Sequence, residues 1–332
     1  MEDRTFQLQT GELFAGFRIV SELGRGNNGV VYLAKQEMLD REVALKLLLP
    51  ELSGSPEYVK MLMFEAHAAA RLNHPNIVQA LDAGSERDMP YLAMEYVRGR
   101  TLEDIRLNSP EELSTDFLID TVIQLADALD YAWENFSMIH GDVKPENFLI
   151  CNDTRALKIA DLGLSHISGR ISSDDGSFMA TPMYVAPEVI SGDGQSGVAG
   201  DIYSCGVMLY ELIAGKPPFN GDTEHLLHCH LEEEPPPLAE ANPDAPRELV
   251  RFIHRMLEKS PANRPASWRE VKTFMEKLKA GTWDDVPPEP QEPTLPKRGK
   301  SKFLLCLGIA AAAVLLTLAG ALIVLAILTS RP

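Results

Sequence analysis

The chain has 332 residues, 45% of them hydrophobic, enough to close a sizeable core and to exclude a disordered chain. Its 48 acidic against 31 basic residues leave a formal charge of -17, which excludes a broadly basic surface for nucleic acid, so any phosphate must be held by local geometry. Cys151, Cys205, Cys229 and Cys306 form no CxxC pair, which argues against a disulfide framework and for a reducing, cytosolic setting of the main domain.

No apolar run behind a basic start marks a secretory leader in the first thirty residues. The segments "FRIVSELG" and "GVVYLAKQ" are rich in Val, Ile and Tyr and predict strands. Between and within them Gly24, Gly26, Gly29 and Val31 fit G-x-G-x-x-G-x-V, a pattern whose glycines let backbone approach a polyphosphate. A dinucleotide-binding turn would need a helix after the glycines, whereas "VVYLA" is strand-like. Lys46 follows inside the apolar strand "REVALKLLL", where a buried ammonium needs a paired charge, and Glu65 on the helical stretch "YVKMLMFEAHAAARL" can supply one. "STDFLIDTVIQLADALDYAWENF" has helical spacing with Ser114 or Thr115 placed to cap it. Then "MIHGDVKPENFLI" sets His140, Asp142, Lys144 and Asn147 at the spacing H-x-D-x-K-x-x-N, followed by Asp161 in "LKIADLGLS" and by Ala186, Pro187 and Glu188 in "MATPMYVAPE". "HLLHCH", from His225 to His230, could suggest zinc, but no second cluster completes a tetrahedral set and the segment predicts a helix face.

Taken together these motifs resemble a bacterial eukaryotic-type (Hanks-type) serine/threonine protein kinase, with the similarity running from about Phe17 to Lys279. The resemblance implies an α+β, bilobal protein-kinase-like fold, with a β-rich N-lobe over residues 17–94, a hinge at 95–98 and a helical C-lobe over 99–279, preceded by an extension, residues 1–16. By that resemblance ATP, with magnesium or manganese, lies against Leu23, the glycines, Val31, Ala44, Met94, Glu95 and Val97, while Lys46 contacts its phosphates and pairs with Glu65. Asp142 would orient and deprotonate a substrate hydroxyl, Lys144 steady the transferring phosphate, and Asn147 and Asp161 hold the metal. Lys144, two residues after Asp142, points to Ser and Thr of proteins as acceptors. Thr181 would bond Asp142, Glu188 pair with Arg264 of "NRPAS", and Asp201 of "DIYSCGV" brace the catalytic loop.

Three positions depart from the family pattern, the first being Ala180 before Thr181, where the family often has Gly. Leu162 replaces the Phe of D-F-G, a change one apolar side chain can make for another. Gly141 stands where many members carry an arginine whose charge awaits a phosphate on the activation segment. Its absence implies activity without that phosphorylation, although Ser168, Ser172, Ser173, Ser177 and Thr181 offer hydroxyls. H-G-D also resembles small-molecule phosphotransferases of the aminoglycoside kinase type, but these lack the A-P-E ending; a non-catalytic pseudokinase scaffold is disfavoured by the retained Lys46, Glu65, Asp142, Asn147 and Asp161.

The C-terminal end changes character. Residues 280–302 turn Pro-rich and acidic, then basic with Lys297, Arg298, Lys300 and Lys302, and predict a juxtamembrane linker. Residues 303–329 carry no charge and as a helix would reach roughly 40 Å, enough to span a bilayer. The preceding cations put the catalytic part in the cytoplasm, a single-pass, tail-anchored arrangement that the resemblance would place in a bacterial inner membrane. Gly308 and Ala312, four apart, could pair two copies as a homodimer within the lipid bilayer; no nucleic acid partner is expected.

Overall fold

In a computed structural model that describes residues 7–26, 29–162, 181–192 and 197–282, the chain begins with an antiparallel sheet. Strands β1 (Leu13–Phe14), β2 (Phe17–Arg25), β3 (Gly29–Gln36), β4 (Arg41–Leu48), β5 (Ala80–Glu86) and β6 (Met89–Glu95) are ordered β1-β2-β3-β4-β6-β5. Alternation decides which face is buried: Val43, Leu45 and Leu47 of β4 point inward with Val30, Tyr32 and Ala34 of β3. In this register Val31 lies opposite Lys46, so the predicted glycine-strand and lysine-strand are direct neighbours. Helices α1 (Pro50–Ser53) and α2 (Pro56–Arg71) interrupt the sheet between β4 and β5.

Residues 7–16 are part of this lobe. Phe14 and Leu8 are buried in its core, and the Leu8 N–H donates to the Tyr32 hydroxyl at 3.1 Å. Burying Phe14 alone is worth about 1.5–3 kcal/mol, so a segment that reads as an extension is ordered by one aromatic anchor.

A second sheet, β7 (Gly99–Thr101), β8 (Phe148–Cys151) and β9 (Leu157–Ile159), underlies the cleft. The helical lobe comprises α3 (Leu102–Asn108), α4 (Thr115–Phe136), α5 (Pro187–Ser191), α6 (Val198–Ala214), α7 (Thr223–Glu232), α8 (Leu238–Ala241), α9 (Arg247–Met256) and α10 (Trp268–Lys279). Ser114 is the cap of α4, its Oγ accepting from the Phe117 N–H at 3.3 Å. The helix α6 is buried along nearly its whole length, as an apolar sequence with little polar face requires, and α4, α9 and α10 close around the same core. Phe252 and Phe274 stack within it with centroids 3.8 Å apart.

The lobes are stitched at "HPNIV". Ile77 forms a parallel bridge with Ile159, with Val78 N–H to Ile159 O at 2.9 Å and Ile159 N–H to Asn76 O at 2.8 Å. The buried Asn76 amide donates to Leu157 O and Gln124 Oε1.

The chain divides into two units, Met1–Asp284 and Asp285–Pro332, and every described residue belongs to the first. Among the described residues no helix is long and apolar enough to cross a membrane; the predicted linker beyond residue 282 and the predicted span 303–329 lie outside them.

Candidate active site

Backbone approach dictates the glycine loop. A Cβ at Gly29 would sit 2.4 Å from Leu47 O, so no side chain fits there; Gly26 N–H closes the turn onto Gly29 O at 2.9 Å. Gly24 lies opposite Val31 in the ladder, and Leu23 is half-exposed at the strand end. Behind the strands Met94, Val97 and Leu92 form an apolar cluster with Ala44, Val78, Leu149 and Ala160. Leu149 and Ala160 carry no signal of their own in the sequence. They join this group because β8 and the end of β9 pass under the first lobe. Glu95 gives its backbone N–H to Gln79 O at 2.9 Å, while its carboxylate pairs with Lys158 at 2.8 Å.

Lys46 meets Asp161 with Nζ to Oδ1 at 2.9 Å, both side chains mostly shielded from water, which strengthens the attraction. Glu65 lies on α2, but its side chain is outside the described residues, as is the activation segment with Ser168, Ser172, Ser173 and Ser177. Asp161 has φ 54, an αL conformation that Asp tolerates better than bulkier residues, and Leu162 beside it is buried.

The catalytic loop converges on one carboxylate. Asp142 Oδ1 accepts from the Thr181 hydroxyl at 2.9 Å, and Oδ2 from Lys144 at 2.7 Å and from the Asn147 amide at 3.1 Å. Lys144 also donates to Thr181 Oγ1 at 3.0 Å, and the Asn147 amide to Asp142 O at 2.7 Å. The Asn147 backbone carbonyl takes the Ala160 N–H at 2.9 Å, and this bond carries Asp161 to the same place. With the Asn147 nitrogen committed to Asp142, its amide oxygen and the Asp161 carboxylate are the hard-oxygen donors that would hold magnesium.

Asp201, buried on α6, holds the loop from below: its two oxygens accept from the N–H groups of His140 at 2.6 Å and Gly141 at 2.7 Å. Burial pushes its carboxyl upward, and the two backbone donors with nearby His140 pull it back. Gly141 itself has φ 77, where any side chain is strained; the glycine therefore suits the backbone as well as removing a charge. His140 Nδ1 accepts from Asp142 N–H at 3.2 Å, and its buried Nε2 has no hydrogen-bond partner among the described residues.

Farther out, Arg264 and Glu188 form a two-pronged pair at 2.8 Å on each prong. Several residues of the site were not foreseen. Tyr184 donates its hydroxyl to buried Glu211 at 2.6 Å, Ser204 donates to Tyr184 O at 2.7 Å, and His230 of "HLLHCH" is fully buried on α7. Among the described residues no cluster of three or more His, Cys, Asp or Glu side chains is placed to hold a metal ion.

The profile of the protein kinase domain matches residues 17–277. The serine/threonine-protein kinase pkn3 of Myxococcus xanthus is 36% identical over 274 residues, covering 78% of this chain and 49% of that protein. PknJ of Mycobacterium tuberculosis is 35% identical over 294 residues, 86% of this chain and 49% of its own, so the chain spans about half the length of such relatives. Among solved structures, the kinase domain of Mycobacterium tuberculosis PknI superposes with a TM-score of 0.63 at 28% identity, covering 82% of this chain and 99% of that one. The structure described as the apo form of PpkA-294 gives 0.69 at 25% identity, with 81% and 99% covered. The chain belongs to the protein kinase domain family, in its bacterial serine/threonine branch.

Proposed function

We propose that the chain transfers the γ-phosphate of ATP to Ser or Thr hydroxyls of proteins, from a catalytic domain held in the cytoplasm by the C-terminal span. The observation that carries this is the Asp142 carboxylate, fixed by Thr181, Lys144 and Asn147 beside the Lys46–Asp161 pair. Asp142 receives the proton of the acceptor hydroxyl as its oxygen bonds to the γ-phosphorus and the bond to the β–γ bridging oxygen breaks, releasing ADP. Lys144, already in contact with Asp142, faces the charge that builds on the transferred group. Magnesium, held by Asn147 and Asp161, would supply charge neutralisation on the ATP phosphates. Lys46 binds the α- and β-phosphates, with Glu65 as a further partner, and the glycine loop covers them.

Gly141 supports a second element: no guanidinium at this position waits for a phosphorylated activation segment, so activity precedes phosphorylation. The full chain in detergent, stripped by phosphatase, is incubated with Mg-ATP and a generic basic protein while intact mass is followed, beside Asp142→Asn. Prompt transfer lost in the variant supports both elements. A lag that ends as the kinase gains phosphate overturns the second, and an inert wild type that still binds ATP points to a scaffold.

The uncharged stretch 303–329 and its basic flank support the anchor, and Gly308 with Ala312 a homodimer. Partition into liposomes with and without residues 303–332 tests the first; FRET between copies carrying Gly308→Leu tests the second, unchanged transfer excluding that face.

A further inference from the structure

The segment from Thr181 to Tyr184 has two sides. In front, Thr181 is bonded to Asp142, and Pro182 and Met183 follow with partly exposed apolar side chains. On the kinase reading, Pro182 and Met183 are the apolar surface next to the place where a protein presents its hydroxyl to Asp142. Behind, the same segment is gripped by polar groups: half-buried Ser204 and buried Glu211 hold Tyr184, and buried His230 holds Met183.

His230 is fully buried, with Nε2 3.0 Å from Met183 O and Nδ1 2.9 Å from the Tyr203 hydroxyl. A carbonyl can only accept, so the proton belongs on Nε2; Nδ1 is then the acceptor for Tyr203. A neutral imidazole in one tautomer bridges a donor on α6 to the substrate segment along a rigid plane. The base of this bridge is fixed as well. Lys259 donates to Cys229 O at 3.0 Å and His230 O at 2.9 Å, its ammonium 4.9 Å from the Phe219 ring centre, and that ring stands edge-on to the imidazole at 5.1 Å. Burial, and next the Lys259 charge, hold the ring uncharged, with its pKa pushed down to about 4.

We propose that His230 is a positioning residue for the protein substrate: by holding the Met183 carbonyl it fixes Pro182 and Met183 as an apolar wall that selects the residue beside the phosphoacceptor. This rests on the kinase reading above. A side chain that packs on a fixed wall gains contacts that a mobile segment would forfeit.

The test uses the full chain as wild type, His230→Gln, which keeps an amide N–H for Met183, and His230→Leu, which does not. Initial rates are measured on serine peptides whose flanking residues are Leu or Val in one set and Asp or Lys in the other, varying peptide and ATP separately. His230→Leu is expected to raise KM at least fivefold for apolar-flanked peptides and to erase their advantage, with KM for ATP within twofold; His230→Gln should recover most of the loss. Equal peptide KM in all three proteins overturns the proposal, as does a parallel loss in kcat and in KM for ATP. Should His230→Leu fail to fold, or wild type transfer no phosphate, imidazole nitrogen NMR of wild type at neutral pH still decides. A single Nε2–H tautomer upholds the bridge, and an Nδ1–H form or a mixture removes it; a kinase that is inert with the bridge intact fails the functional reading alone.

Discussion

Arg264 offers the sharpest test of how the substrate side of the molecule is held. All five of its N–H donors are used: Nε on Glu258 O at 2.7 Å, one terminal nitrogen on Glu188 and on Ala199 O at 2.8 Å each, the other on Glu188 at 2.8 Å and on Lys259 O at 2.9 Å. Its side chain is 0% exposed and that of Glu188 13%, so neither water nor salt screens the pair. Arg264→Ala strands a carboxylate and three carbonyls around a cavity. Breaking a buried pair from one side costs about 3–5 kcal/mol, and at about 2–4 °C per kcal/mol for a domain of this size the melting temperature should fall on the order of 10 °C. Arg264→Lys should recover only part, since three donors cannot replace five. Thermal unfolding of the full chain by circular dichroism, read as a cycle with Glu188→Ala, should show a coupling of about 2 kcal/mol or more. A fall under 2 °C with no coupling would refute the assignment of this pair as the clamp between α5 and the turn before α10.

Other predictions follow from single contacts. Asp201→Asn can accept from only one of the two backbone donors and turns its amide toward the other; a loss of about 3 kcal/mol in chemical denaturation and a fall of more than tenfold in kcat are expected. Gly29→Ala must displace the β4 backbone at Leu47, so isothermal titration should show ATP binding weakened at least fivefold. His230 is depressed from 6.5 to about 4, so the unfolded chain takes up a proton first as pH falls: the full contribution present above about 6.5 is lost progressively toward 4, by up to about 3 kcal/mol, and His230→Gln should flatten that part of a urea-midpoint series. Gly141→Arg places a side chain at φ 77 and should cost about 1–3 kcal/mol of stability, visible as an earlier urea midpoint.

Much of the fold was legible from the chain alone where position is set by short spacings. The glycine loop, Lys46, the catalytic loop from His140 to Asn147 and the Ser114 cap each depend on neighbours within a few residues, and local pattern is enough to place them. What stayed hidden depends on distant partners. His230 and Met183 are 47 residues apart, Tyr184 and Glu211 27, and only the seating of α7 and α6 behind the substrate segment joins them. "HLLHCH" was legible as a helix face, but its last histidine points into the core, and nothing in six letters distinguishes that from an exposed ring. The part played by residues 7–16 was hidden for the same reason, since Phe14 is apolar like many surface residues until the sheet it caps is present. Gly141 was read as a missing charge; its positive φ is a property of the folded loop.

The stitch at Ile77–Ile159 also limits how the molecule can move. Among the described residues two backbone crossings tie the sheet lobe to the helical lobe, one through residues 95–98 and one through this pair of backbone hydrogen bonds, while side-chain contacts such as Lys46–Asp161 and Glu95–Lys158 also bridge the lobes and can part without breaking backbone. Bodies pinned at two separate points retain a single easy freedom, rotation about the line through both pins; sliding and twisting would have to break a pin. Cleft opening should then be a swing about that axis, widest at the glycine loop and near zero at Val78. The amides of Val78 and Ile159 should exchange with solvent as slowly as the core of the helical lobe while those at the tip of β2 exchange within the swing.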